Sequence, residues 1–160
     1  MNAWTIFVGV VMLGSTCQAR LGEIEQQIEQ RYGTPQSCVD ASSNEVYRIC
    51  HYESQGLKIV VHYGTFRQSR DGRSAAGLSL WESYTAPGAL SEAAVQTILD
   101  ANKGSSTWSH GEDKVDNNTG NYREWRTADH TRVAKLFARK DGKRQLVVEW
   151  LEVTPPPTGF

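Results

Sequence analysis

Two stretches of the chain carry apolar residues three and four positions apart, the pattern of an α-helix with one buried side. In the first stretch, LGEIEQQIEQRYGTP, the apolar stripe consists of Leu21, Ile24, Ile28 and Tyr32. The positions between them are mostly glutamate and glutamine. Gly33 is followed two positions later by a proline, and this combination is a typical helix stop. The pattern therefore predicts a first helix that ends at this glycine.

The second helical stretch is LSEAAVQTILDANKG. Ser91 stands where an N-cap is expected, because its side-chain oxygen can accept a hydrogen bond from the first turn. Leu90 and Val95 have the spacing of a hydrophobic staple around that cap. Val95, Ile98 and Leu99 then form the predicted buried side.

Outside these helices the apolar positions alternate with a period of two, which indicates half-buried β-strands. The predicted strands lie near 45–53, 57–64, 75–84, 122–128, 132–139 and 144–153. Asp141-Gly142, between the last two strands, is a strong signal for a two-residue hairpin turn. The economical architecture for these elements is an α+β fold with two helices packed on one face of an antiparallel sheet. The element order also fits a tandem αβββ repeat.

The segment CHYESQGLKIVVHY predicts a hairpin that carries two histidines. If Gln55-Gly56 forms a two-residue turn, His51 and His62 become diagonal neighbours on one face of the sheet. If 54–56 forms a three-residue loop, the two histidines point to opposite faces. Glutamine is a poor first residue for the two-residue turn, so the longer loop is favoured. A metal site would need the other register and a third ligand, so we predict a structural hairpin and no metal site.

The N-terminus has an apolar core from Trp4 to Gly14 and then small and polar residues before the first charged residue, Arg20. Such a core is typical of a secretory signal and is shorter than the roughly 20 residues that span a bilayer. We therefore predict a signal peptide over 1–19, cleaved after Ala19. The mature protein is then exported to the periplasm or the extracellular space without an integral membrane span. The alternative is an N-terminal anchor or a buried first helix.

Cys17 offers a second processing route, because the residues LGSTC before and at this position resemble a bacterial lipobox. That route would give the mature protein a lipid anchor at Cys17. With cleavage after residue 19, the expected organisation is one α+β domain over 20–153 and a Pro-rich disordered tail over 154–160.

Two cysteines, Cys38 and Cys50, remain after the predicted cleavage site. In an oxidising compartment an even pair of this kind is most simply a disulfide. Closing a loop of about a dozen residues would stabilise the fold by roughly 3 kcal/mol in the chain-entropy model. The competing interpretation is two separate thiols, with Cys50 buried and Cys38 exposed.

The charge balance excludes a strongly electrostatic partner. The chain has 17 basic and 18 acidic residues, a net charge of −1. A nucleic-acid binder needs a basic stripe, and the nearest candidate is the short loop with Arg67, Arg70 and Arg73. Three arginines around an Asp-Gly pair are more typical of a solvated turn, so no nucleic-acid partner is predicted. The chain contains no Gly-rich phosphate loop, and no cofactor is predicted.

Trp81 is the candidate for partner binding. It alternates with Ser79 and Ser83 in the strand predicted over 75–84, which can place it on an exposed sheet face. An exposed tryptophan is a typical anchor for a protein partner. This pattern favours a non-catalytic exported binding or scaffold protein whose open sheet face contacts a protein partner. The alternative is that Trp81 packs in the core or at its rim.

A small exported hydrolase is the second functional hypothesis. His110 and His130 lie in polar segments near acidic residues: Glu112, Asp113 and Asp129. Such pairs can act as general bases. However, no serine sits in a GxSxG turn, so no catalytic residue is predicted and the protein is interpreted as a non-enzyme.

A resemblance covers most of the predicted mature chain. The start RLGE, the helix end RYGTP and the later segment WRTADHTRVAKLFARKDGKRQLVVEW resemble a group of small exported bacterial proteins, mostly uncharacterised. More remotely, a helix ending in Gly-x-Pro before a sheet is similar to the outer-membrane assembly lipoprotein and β-lactamase-inhibitor-protein folds. This likeness rests on topology alone and assigns no function.

Overall fold

The computed structural model describes residues 20–42, 45–67, 74–116, 120–139 and 141–151. The predicted signal peptide, Cys17 and the Pro-rich tail lie outside the described residues, and so do Arg70 and Arg73 of the basic loop.

One eight-stranded antiparallel sheet dominates the structure. The helices are α1 (Glu25–Tyr32) and α2 (Glu92–Asn102), and the strands are β1 (Ser37–Asp40), β2 (Val46–Ser54), β3 (Leu57–Arg67), β4 (Ser74–Thr85), β5 (Glu112–Asp116), β6 (Gly120–Arg126), β7 (Arg132–Ala138) and β8 (Arg144–Trp150). The strand order across the sheet is β1-β2-β3-β4-β8-β7-β6-β5. The last strand of each half therefore pairs with the other at the centre of the sheet.

The expected α+β class, with two helices packed on one face, is wrong. The helices contain only 8 and 11 residues, whereas eight strands form a single continuous sheet. The expected unit of one helix and three strands is wrong as well, because four strands follow each helix. The two missed strands are the sheet edges, β1 and β5. An edge strand exposes most of its side chains, as the four residues of β1 do, and so shows no alternation in sequence.

The two faces of the sheet differ in what packs on them. The tyrosine face carries Tyr52, Tyr63 and Tyr84, and the Trp81 face carries Trp81 and His62. The buried apolar side chains of both helices belong to one core cluster, whose strand residues all lie on the tyrosine face: Cys50, Tyr52, Ile59, Val61, Tyr63, Tyr84, Trp125, Ala134, Leu136, Leu146 and Val148. The buried side chains of the two short helices therefore join the core on the tyrosine face.

The hairpin between β2 and β3 has the two-residue turn that the sequence disfavoured. Ser54 pairs with Leu57, and Gln55 and Gly56 both have positive φ, at 51° and 75°. This is the left-handed conformation of a type I′ turn, which a glutamine adopts with strain. The favoured three-residue loop was therefore wrong. The long pairing of two strands that share the core fixes the register in spite of the turn residue.

Two local predictions are confirmed. The Ser91 side chain accepts a hydrogen bond from the Ala94 backbone amide at 3.2 Å, and it is the N-cap of α2. Cys38 and Cys50 form a disulfide between directly opposite positions of β1 and β2. The disulfide thus links the four-residue edge strand β1 covalently to β2.

Candidate functional site

A β-bulge in β4 decides which side chains accompany Trp81. Trp81 pairs with His62 and Ser79 pairs with Tyr63, so β4 has one extra residue, Leu80, between two consecutive residues of β3. A bulge of this kind shifts the alternation of side chains along the strand. Ser79 therefore lies on the tyrosine face, and Trp81 lies on the opposite face.

The predicted binding residues are consequently separated. Ser83 is on the Trp81 face, beside Trp81 along the strand, and is 7% exposed. Ser79 is fully buried, and its hydroxyl oxygen accepts a hydrogen bond from the Gly22 amide at 3.0 Å. Ser79 thus fastens the start of the described chain to β4. The binding roles of Trp81 and Ser83 stay predictions.

The Trp81 side chain is exposed to solvent, and its ring stacks on a neighbouring side chain. Its side chain is 38% exposed, and its ring stacks on His62 with centroids 4.2 Å apart and planes 13° from parallel. Burial lowers the pKa of His62, and the nearby His51 lowers it further. Because the neutral imidazole is favoured, the stack presents an uncharged aromatic surface to solvent.

A recess of about 680 Å³ lies beside Trp81 toward the β7–β8 turn. Its walls combine apolar side chains with a few polar ones: Trp81, Phe137, Val147, Gln145, Arg139 and Asp141. Phe137 also packs on Tyr122 of β6, with ring centroids 5.4 Å apart. Aromatic and apolar side chains therefore continue from Trp81 across three further strands of this face.

Several charged side chains of this face form ion pairs with one another. Lys135 and Glu149 form a 2.7 Å pair across β7 and β8. Glu124 is only 4% exposed and binds both Lys114, at 2.6 Å, and Arg126, at 2.8 Å. Burial alone would raise the pKa of the Glu124 carboxyl, but these two hydrogen bonds outweigh burial and lower it. The face therefore presents paired charges around an aromatic centre.

The hydrolase hypothesis takes either His110 or His130 as its histidine. His110 lines a recess of about 640 Å³ together with Ser109, Asp113, Trp108 and Trp125. The Ser109 hydroxyl oxygen accepts a hydrogen bond from the backbone of β6, and Asp113 binds Arg123 at 2.9 Å. Among the described residues, His110 makes no hydrogen bond to Ser109 or to Asp113. A serine nucleophile activated by His110 is therefore not assembled in this recess.

His130 lies in an exposed tight turn that follows β6. Its φ is 57°, and its backbone amide donates to the Thr127 carbonyl at 2.8 Å. The neighbouring Asp129 carboxylate accepts hydrogen bonds from the amide and hydroxyl of Thr131. The Asp129 carboxylate therefore stabilises this turn, and the backbone hydrogen bond of His130 belongs to the same turn.

Glu82 is an unusual residue that sequence reasoning missed. It is fully buried on the tyrosine face, where the Tyr84 hydroxyl donates a hydrogen bond to its Oε2 atom. Burial raises the pKa of Glu82 to about 7, against the hydrogen bonds from Tyr84 and Ser79. The sequence signal is an acidic residue inside the strand SLWESY, where strand alternation places Glu82 on the side opposite Trp81 and on the same side as Tyr84.

One group of potential metal ligands occurs in the described part of the chain. It consists of Glu25, Cys38 and Cys50, whose ligand atoms lie within 4.8 Å of one another. Both sulfur atoms belong to the disulfide, and a thiolate is the form of cysteine that binds metals. This group therefore reflects packing of α1 against the disulfide.

Comparisons of the chain with protein-family models, with curated proteins and with solved structures found no match. The resemblance to small exported bacterial proteins accordingly stays a prediction. Within the described residues, neither helix is long and apolar enough to cross a membrane.

Proposed function

We propose that this chain is a non-catalytic, exported binding protein that docks a protein partner on the Trp81 face. The observation that supports this function is the stacked and solvent-exposed Trp81 ring beside the recess toward the β7–β8 turn. The buried side chains of both helices belong to the core on the opposite face, so a partner can approach this ring without displacing a helix.

The physical basis is the large apolar area of tryptophan and its low cost of ordering. Tryptophan is among the residues that contribute most to protein interfaces, and such residues sit in pockets from which water is excluded. Stacking on His62 already restricts the Trp81 side chain, so little further rotamer entropy is lost when a partner binds. The recess can accept one large side chain of the partner.

The charges on this face indicate the chemistry of the partner surface. Lys135, Glu149 and Glu124 are already paired with residues of the same face. A strongly charged partner would have to break these pairs or bury one of their members unpaired, and both cost free energy. We therefore assign to the partner an uncharged, apolar contact segment with an aromatic or aliphatic anchor.

The test compares wild type with Trp81→Ala in capture of proteins from the envelope and culture fluid of the source cells. The matched control is Val115→Ala, which removes another exposed apolar side chain, 77% exposed, at the far edge of the sheet. We expect a protein that wild type and the control retain and Trp81→Ala loses. The purified captured protein should then bind wild type with a change in tryptophan fluorescence, and Trp81→Ala at least about tenfold more weakly.

Equal capture by all three proteins, or binding that falls steeply with salt, would contradict the proposal. Circular dichroism verifies that Trp81→Ala remains folded. His110→Ala separates this function from the hydrolase hypothesis. The binding function predicts unchanged capture, whereas a hydrolase would lose its turnover of ester and peptide substrates.

A further inference from the structure

The start of the described chain is attached to β4 just before the buried Glu82. The Gly22 amide donates to the Ser79 carbonyl at 2.9 Å, and the Ser79 amide donates to the Glu23 carbonyl at 2.8 Å. Ile24 forms a further antiparallel bridge with Leu78. These residues lead directly into α1, so the segment 21–32 is held as one unit over this part of the tyrosine face.

Three charged side chains meet beneath this segment. Arg31 of α1 binds Glu23 at 2.6 Å, and both act electrostatically on Glu82 from β4. One oxygen of Glu82, one oxygen of Glu23 and one guanidinium nitrogen of Arg31 are buried and have no hydrogen-bond partner among the described residues. With Glu82 ionised, the cluster would hold two carboxylates against one guanidinium, with Glu82 fully buried and the Glu23 and Arg31 side chains 14% and 20% exposed.

Tyrosine hydroxyls complete the surroundings of Glu82. The Tyr84 hydroxyl, in the same strand, donates a hydrogen bond to the Glu82 carboxyl. The hydroxyl of Tyr32, in α1, lies 3.5 Å from the Tyr84 hydroxyl. Tyr63 of β3 also interacts electrostatically with the Glu82 carboxyl. Tyrosine hydroxyls bring no positive charge to this site. Among the described groups named here, Arg31 is the one that offers positive charge to an ionised Glu82.

We propose that Glu82, Glu23 and Arg31 form a proton-operated latch, which holds the segment 21–32 on the sheet while Glu82 carries a proton. Loss of that proton places a second negative charge beside Glu23 in a buried site and weakens the attachment. Burial raises the pKa of Glu82 to about 7, so the change falls within the physiological pH range. Opening of the segment removes Tyr32 from its contacts with Tyr52 and Tyr84.

Amide hydrogen exchange tests the latch region by region, after correction for the intrinsic pH dependence of exchange. Between pH 6 and pH 8 we expect protection of the segment 21–32 to fall about tenfold in wild type. Ala134 and Leu136 in β7 should stay better protected than the segment at every pH, because core amides exchange only when the whole fold opens. In Glu82→Gln the segment should show no pH-dependent loss, because the side chain keeps its shape and cannot ionise.

Two further variants keep the test decisive if Glu82→Gln does not fold. Glu23→Gln removes a negative charge that raises the pKa of Glu82, so Glu82 should ionise at a lower pH. The loss of protection between pH 6 and pH 8 should therefore become smaller and begin at a lower pH. Glu124→Gln, another buried glutamate but on the Trp81 face, should keep the wild-type profile. An unchanged profile in Glu82→Gln or Glu23→Gln, or a segment 21–32 that is as well protected as β7 at pH 8, would overturn the latch.

Discussion

At the scale of single residues, burial sets the ionisation of the groups that matter most here. The His62 ring is partly covered by the Trp81 ring, and the side chain of Glu82, in β4, is fully buried. In both cases removal from water disfavours the charged form, which lowers the pKa of the imidazole and raises that of the carboxyl. Each residue is therefore held neutral by the face of the sheet on which it lies.

Replacing His51 with glutamine is expected to raise the pKa of His62 toward its usual value of 6.5. The change removes a neighbouring positive charge, whereas burial, the larger cause, remains. Because the folded-state pKa of His62 lies below the unfolded value, the unfolded chain binds the proton first as pH falls. The contribution of His62 to the free energy of unfolding is therefore lost as pH falls below 6.5. In His51→Gln a smaller part of this free energy is lost.

A titration of the His62 ring by nuclear magnetic resonance measures this effect. The control is His130→Gln, which alters an exposed turn on another part of the chain and should leave the His62 titration unchanged. A His62 pKa that stays the same or decreases in His51→Gln would contradict the expected coupling of the two histidines across the hairpin.

At the scale of elements, strand pairing overrides the preferences of individual turn residues. Gln55 has a φ of 51°, although a side chain with a Cβ atom is strained in that conformation. The eight paired positions between β2 and β3 hold the turn in place. The same pairing aligns His51 with Val60 and so brings the two histidines onto one face.

Gln55→Asn is expected to increase the free energy of unfolding by about 0.5 to 1 kcal/mol, because asparagine tolerates the left-handed conformation that this turn requires. Urea unfolding monitored by tryptophan fluorescence measures the change. Gln96→Asn, the same substitution at an exposed position of α2, should instead lower the stability slightly, since asparagine is a poorer helix former. A loss of stability in Gln55→Asn would indicate that the turn is not of the two-residue type.

At the scale of the whole molecule, one buried cluster joins both helices to a single face of the sheet. The centre of the sheet is the pairing of β4 with β8, which connects the two halves of the chain. Glu82 lies in this central pair, opposite Val148, so its ionisation bears on the stability of the entire fold.

The free energy of unfolding of wild type, relative to Glu82→Gln, is expected to fall by about 2 to 3 kcal/mol between pH 5 and pH 8. The folded-state pKa of Glu82 is raised from 4.5 to about 7. Below pH 4.5 the carboxyl is protonated in both states, and between the two values only the folded state keeps the proton. Stability is therefore lost as pH rises through this window, and urea unfolding at unit pH intervals should show the loss. Parallel pH profiles for the two proteins would contradict this assignment.

Local spacing in the sequence determined the helices, the cap at Ser91, six of the eight strands and the disulfide, because each depends on residues close together in the chain or on a single pair of cysteines. The two edge strands, the hairpin register and the bulge at Leu80 depend instead on pairing between distant segments. That bulge puts Ser79 on the face opposite Trp81, where Glu82 also lies. Trp81 could be proposed from its sequence, but the His62 stack and the buried carboxyl cluster required the tertiary structure, since only packing removes those side chains from water.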